Sequence, residues 1–269
     1  MKQKQLEHIC LESCKIIKEV GTFIKTQQGK VSNQQIELKG LNSLVSYVDK
    51  TAERQLVAQL KKLLPGAFFL TEEETVEQKK GKYQWIIDPL DGTTNFLHQL
   101  PCYAVSVALQ ADGKTVVGIV YEPNNKECFY AWKEGGAFLN GQPVRCSSNN
   151  DLANTLIATG FPYHDFKRVE TYTSILKYLM KNTRGIRRWG AAAVDLAYVA
   201  CGRFDAFYEY GLNPWDVAAG AFIVEEAGGK VADFSGGPGF LFGREIIAAN
   251  NGVFEKILQI VKNRLQTPQ

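Results

Sequence analysis

The chain lacks an excess of either charge: Lys and Arg number 31 against 28 Asp and Glu in 269 residues. That near balance gives no electrostatic reason to expect nucleic acid or a membrane surface as the main partner. Histidine is scarce, with only His8, His98 and His164. None of the cysteines (Cys10, Cys14, Cys102, Cys128, Cys146 and Cys201) forms a C-x-x-C pair, so a zinc site is not expected. Cys10 and Cys14 are one helical turn apart, which reads as a buried helix face. No apolar run is long enough to span a bilayer, and no leader-type apolar region opens the chain. The expectation is a cytoplasmic protein with reduced thiols. Internal repeats and low-complexity segments are missing. The run Gly236-Gly237-Pro238-Gly239 lacks the Lys and the following helix of a phosphate-binding P-loop, so it reads as a turn. The basic cluster Arg184, Arg187 and Arg188 is local, either a solvated face or an anion contact.

Hydrophobic residues make up 45% of the chain, enough to bury the core of one large domain or two modest ones. Apolar positions spaced alternately three and four apart predict an amphipathic helix over residues 5–27. Gln28 to Ser43 is polar and Gly-punctuated and reads as a long loop. Asp49 precedes a second helix, which Pro65-Gly66 terminates after Leu64. Ala67 to Leu70 reads as a strand running into Thr71-Glu72-Glu73-Glu74. After Tyr83 to Ile87, consecutive strands follow at Tyr103–Leu109, Thr115–Tyr121 and Glu127–Trp132, with hairpin turns at Asp112-Gly113 and Asn140-Gly141. The first half is therefore expected to run helix, helix, antiparallel meander. Polar residues from Cys146 to Asn154 suggest a boundary between an N-terminal half, 1–146, and a C-terminal half, 147–269. The second half alternates strands near Leu156, Phe204, Lys230 and Ile246 with helices from about Arg168, from Ala191, from Asn213 and from near Asn251.

One stretch concentrates the chemistry: Trp85-Ile86-Ile87-Asp88-Pro89-Leu90-Asp91-Gly92-Thr93-Thr94-Asn95-Phe96. An apolar strand ends in two carboxylates, and Pro89 stops the ladder because it has no N–H to give. Ligands collect at such carboxyl ends in α/β proteins. Two anions this close repel each other unless a cation lies between them, and hard divalent metals take carboxylate and carbonyl oxygens. The plainer alternative is a solvated Asp-Gly turn. Two further acidic clusters stand at element ends. Glu72 and Glu73 follow a strand and, alone, read as a solvated charge run. Asp216 lies in the first turn of a helix, where it would favourably face the dipole. Asp49 alone reads as a helix N-cap.

Together these segments resemble the inositol monophosphatase family of magnesium-dependent, lithium-sensitive phosphatases. The resemblance rests on Leu70 to Glu74, on the D-P-[IL]-D-G-T-x-N-[FY] pattern beginning at Asp88, and on Trp215-Asp216-Val217-Ala218-Ala219-Gly220 followed by Glu226-Ala227-Gly228-Gly229. It covers essentially the whole chain. It implies an α+β fold, a layered αβαβα sandwich of the inositol monophosphatase and fructose-1,6-bisphosphatase type, and a homodimer. It also implies Mg²⁺ as cofactor, with Mn²⁺ a substitute and Li⁺ an inhibitor. Glu72, Asp88 and the Leu90 carbonyl would hold one ion; Asp88, Asp91 and Asp216 would hold a second, about 4 Å away. A third would be recruited near Glu72 with the substrate. Glu72 and the Thr93 hydroxyl would orient the attacking water, with Asp49 bonded to that threonine. Gly92 and Thr93 would open a helix that receives the phosphate. Asp91, Gly190, Ala192, Glu209 and Asp216 would face the substrate, with Glu209 taking ring hydroxyls.

The implied substrate is a small phosphate monoester, myo-inositol monophosphate first. Histidinol phosphate, fructose 1,6-bisphosphate and 3′-phosphoadenosine 5′-phosphate are the rivals, and a catalytically silent binding or regulatory protein is the alternative of a different class. The sequence departs from the family pattern at Ser43, which occupies an Asp position. It departs again at Ala191, where Ser or Thr is often found.

Overall fold

A computed structural model of the chain describes residues 1–40, 43–162 and 165–265. Helix α1 (Gln3–Gln27) leads to a hairpin of β1 (Ile36–Gly40) and β2 (Ser43–Ser46), then α2 (Tyr47–Leu63). Next come β3 (Phe68–Thr71), β4 (Tyr83–Asp91), the short α3 (Thr93–Leu97), β5 (Ala104–Ala111), β6 (Lys114–Glu122), β7 (Glu127–Trp132), β8 (Gly136–Leu139) and β9 (Gln142–Val144). The chain continues through β10 (Leu156–Thr159), α4 (Val169–Asn182), β11 (Gly185–Arg187), α5 (Ala192–Ala200), β12 (Ala206–Tyr210) and α6 (Pro214–Glu226). It closes with β13 (Lys230–Ala232), α7 (Phe240–Gly243), β14 (Glu245–Ala249) and α8 (Phe254–Leu265).

Strands β3 to β9 form a seven-stranded sheet in chain order. All neighbours are antiparallel except the β3–β4 pair, which is parallel. The second sheet has five strands in the order β11-β10-β12-β14-β13, parallel across β11, β10 and β12 and antiparallel beyond. Period-2 alternation sorts each strand between two cores. On β4, Trp85 and Ile87 face α1 and α2, while Ile86 faces the opposite core with α5 and α6. Residues of α5 and α6 also meet Phe207, Ile246 and Ala248 of the second sheet, whose far face packs on α4 and α8. The result is the five-layer αβαβα order. The central helices are covered on both sides, and α5, apolar but for Asp195, is buried at every residue from Ala192 to Ala200, as a helix with apolar residues on all faces must be. Close approach needs small residues: a Cβ at Gly118 of β6 would stand 2.7 Å from the Ala219 carbonyl oxygen of α6.

Three expectations need correction. The polar segment Gln28 to Ser43 is not one loop, because it contains β1 and the start of β2; its alternation is hard to see because side chains such as Leu38 point to solvent (77% exposed). Asp49 does not precede α2. The N-cap is Ser46, whose hydroxyl accepts from the Val48 N–H, and Asp49 lies inside the first turn, accepting from the Ser46 N–H and hydroxyl. This reciprocal arrangement is a capping box. The meander is preceded by a parallel pair, so β3 and β4 present their carboxyl ends side by side. Among the described residues, no helix is long and apolar enough to cross a membrane.

Candidate active site

The site forms where those two carboxyl ends meet the N-termini of α3, α5 and α6. At the end of β4 the pairing with β5 shifts between Asp88 and Asp91, because Pro89 has no ladder N–H. The Asp88 carboxylate turns back and accepts from the Leu90 N–H at 2.9 Å. Gly92 then reverses the chain with φ +89° and caps α3; that conformation favours glycine, and a Cβ there would stand 3.0 Å from the Cys102 carbonyl oxygen. Asn95, one turn on, donates to the carbonyls of Cys102 and Trp189, tying α3 to the segment that leads into α5.

Thr93 and Asp49 meet behind the cleft. The Thr93 hydroxyl lies 3.0 Å from Asp49 Oδ1 and 3.0 Å from the Leu90 carbonyl. It has one proton and two acceptors. Whichever takes the proton, the remaining lone pair of Thr93 can accept from a water in the cleft.

Glu72 follows β3, and its N–H donates to the Ile87 carbonyl at 3.2 Å. The residues around it are strapped by Glu53, which is fully buried on α2. Glu53 accepts from the Thr71 hydroxyl at 2.9 Å, and from the N–H groups of Glu73 and Thr75 and the Thr75 hydroxyl at 2.7 Å each.

Across the cleft, Pro214 starts α6, and Asp216 accepts from the Asn213 N–H at 2.6 Å. Asp91 accepts from the Ala193 N–H at 2.7 Å, which joins the β4 end to the first turn of α5. Glu209, next to last on β12, is buried and lines the same cleft.

The electrostatics follow from burial. Asp88 is held well above the usual carboxylate range, chiefly by burial and then by Glu72, Asp91 and Asp216. Burial pushes Asp91 up to about 7 against the pull of the Ala193 N–H bond, and pushes Asp216 up to about 7 with help from Asp91. Burial and Asp216 likewise raise Glu209 well above its ordinary value, with Arg188 opposing. Asp88 is hydrogen-bonded to both Glu72 and Asp216. Among the described residues, no three acids surround one point as a finished metal cage; they lie against one another. This crowd of carboxyl groups shares protons as it stands and, once ionised, offers only oxygen ligands with little cationic balance. A hard divalent ion fits it in charge and ligand type; a thiophilic metal does not.

Glu72, Asp91, Gly92, Thr93, Gly190, Ala192, Glu209 and Asp216 thus share one cleft. Asp88 is buried against Glu72 and Asp216, Asp49 is reached through Thr93, and the Leu90 carbonyl contacts the same threonine. Glu226 of the third signature is elsewhere: it accepts from the N–H groups of Glu134 and Gly136 and fixes the β7–β8 turn. Sequence reasoning missed Glu53 and Gly160. The signal for Glu53 was its place one helical turn after Asp49 on the same face of α2.

The chain matches the inositol monophosphatase family model over residues 5–266. It is 41% identical over 246 residues to an inositol-1-monophosphatase of Mesorhizobium japonicum, covering 91% of this chain and 92% of that one. It is 44% identical over 228 residues to the Nus factor SuhB of Escherichia coli K12, covering 84% and 85%. The crystal structure of the extragenic suppressor protein suhB from Bartonella henselae superposes with a TM-score of 0.89 at 40% identity, covering 95% and 98%.

Proposed function

The chain belongs to the inositol monophosphatase family, and from that membership we propose that it is a Mg²⁺-dependent phosphatase of small polyol monoesters, with myo-inositol monophosphate as substrate. The observation that carries this reading is the single cleft in which Glu72, Asp91, Thr93 and Asp216 stand together with Glu209. Phosphate hydrolysis needs acidic ligands for cations and an oriented water; a polyol leaving group needs acceptors for its hydroxyls.

Glu72, Asp88, Asp91, Asp216 and the Leu90 carbonyl would hold Mg²⁺, which when bound masks phosphate charge and makes water more acidic. The protein's own groups do the rest. Thr93 and Glu72 orient the attacking water, and Asp49 accepts the Thr93 O–H hydrogen bond so that the threonine oxygen keeps a lone pair for that water. N–H groups at the Gly92–Thr93 turn donate to the phosphate oxygens. Asp216 steers a proton to the leaving oxygen. Glu209 and Asp91 accept from hydroxyls on the ring, and Gly190 and Ala192 leave the room it needs. A carboxylate suits adjacent hydroxyls because its two oxygens accept in parallel.

The test is a panel of phosphate esters scored by kcat/KM, with and without Mg²⁺. Inositol monophosphate should lead, and phosphate release should stop when EDTA removes divalent cations. Faster turnover of histidinol phosphate, fructose 1,6-bisphosphate or 3′-phosphoadenosine 5′-phosphate would reassign the substrate while leaving the phosphatase. No Mg²⁺-dependent release from any ester would sink the enzyme.

A further inference from the structure

Gly160 follows the last residue of β10, where Thr159 pairs with Tyr208 of the parallel neighbour β12. This places it beside Glu209. Tyr172 of α4 donates to the Gly160 carbonyl at 2.9 Å, and Thr159 donates to the carbonyl of Tyr208, the residue before Glu209, at 2.8 Å. The two hydroxyls are themselves 2.5 Å apart. The backbone of Gly160 is not in the left-handed region, so its conformation is open to any residue. Space is what restricts it. A Cβ built at position 160 would overlap the Glu209 carboxylate, both oxygens included.

Glu209 has little else to fix it. Among the described residues its carboxylate accepts no hydrogen bond, and Arg188 is the cation that acts on it while Asp216 and Asp91 repel it. The wall formed by Gly160 therefore decides where the acid lies. We infer that Gly160 is a specificity-determining residue: the missing side chain leaves the berth from which Glu209 reaches the hydroxyls of a polyol phosphate. This rests on the reading of Glu209 as the polyol acceptor. The hydrogen bonds of Tyr172 and Thr159 hold the berth in place. Any side chain at 160 displaces the acid, which is the flexible partner, rather than the strand.

The test uses the Mg²⁺-loaded full chain and three variants: Gly160→Ala, Glu209→Gln and the double variant. Each is assayed with myo-inositol 1-phosphate and with phenyl phosphate, a monoester without ring hydroxyls. Gly160→Ala should raise KM for the inositol ester about ten-fold, the loss of one hydrogen bond to a charged acceptor. In the Glu209→Gln background it should add less than about two-fold, because the two residues act as one unit. Equal loss in both backgrounds, equal loss on phenyl phosphate, or no loss at all overturns the inference. If Gly160→Ala does not fold, adding Glu209→Ala should restore folding by removing the clashing acid, and failure to restore it also overturns the inference. A wild-type protein that does not prefer the inositol ester to phenyl phosphate refutes the polyol reading and this inference with it. A wild type that prefers it while Gly160→Ala keeps the same preference refutes the inference alone.

Discussion

Asp49 and Thr93, from different helices, meet at 3.0 Å through one hydroxyl proton. The same aspartate uses its other oxygen to close the first turn of α2, accepting from the Ser46 N–H at 2.8 Å. One carboxylate thus serves a helix start and the threonine proposed to orient the attacking water. Burial holds it above the usual carboxylate range, while its bonds to Ser46 and Thr93 pull the other way.

The two uses separate by mutation. Thr93→Ala leaves the capping box intact, so it should lower kcat roughly 100-fold with little change in Tm. Asp49→Ala removes both contacts and should lower kcat similarly while costing about 1 kcal/mol of stability through the lost return half of the capping box. Kinetics and thermal unfolding on the same preparations check this. A large Tm drop for Thr93→Ala would contradict the division of roles.

Asp88→Asn should reduce kcat by well over ~100-fold, beyond the effect of losing a group that only supports a ligand. The same change replaces an acid whose charged form is disfavoured by burial and by Glu72, Asp91 and Asp216. Tm measured in EDTA near neutral pH should therefore change little, and the Tm gain on adding Mg²⁺ should shrink. Near-normal turnover would show that Asp88 holds no ion.

The raised acids set a pH dependence. Asp91 and Asp216 stand at about 7 in the folded chain, against about 4 when unfolded. Between those values the folded state binds more protons than the unfolded one, so their contribution falls as pH rises through the window. Mg²⁺ bound at the proposed site would displace those protons, and its stabilising effect would grow over the same interval. The gap between Tm with Mg²⁺ and Tm in EDTA should widen from about pH 5 to about pH 7.5. A constant or narrowing gap would contradict the assignment.

Glu53→Gln keeps the size of the side chain but replaces one acceptor oxygen with a donor that faces N–H groups. The Mg²⁺ concentration for half-maximal activity should rise roughly 10-fold, the usual scale for a group that orients a ligand. Expected damage falls on Mg²⁺ titration more than on KM at saturating metal. An unchanged titration would reduce Glu53 to a fold residue.

The acids at element ends were legible because each breaks a hydrophobic pattern at a point where Pro89, Gly92 or Pro214 also breaks the backbone. Helix α5 was legible because eight of its nine residues, all but Asp195, are small or apolar and leave no solvent face. Strands β1 and β11 were not. The first carries outward side chains such as Leu38, and the second spans only Gly185 to Arg187. Glu53 looks like any surface acid on an amphipathic helix until Thr71 and Thr75 are folded onto it. The requirement at Gly160 arises from Glu209, which neighbours it only after β10 and β12 pair. Asp49 reads as the N-cap from the sequence, and only the side-chain bonds place the cap at Ser46 and Asp49 in the first turn.

Gly118 lies on β6, outside the cleft, yet its bare Cα lets α6 seat at Ala219, one turn after Asp216. A bulkier residue there would lift the helix and tilt its leading end. If Asp216 holds the proposed Mg²⁺, tuning of ion preference arises by drift in the interior of a sheet, out of reach of any ligand, and a comparison of cleft residues alone would overlook it.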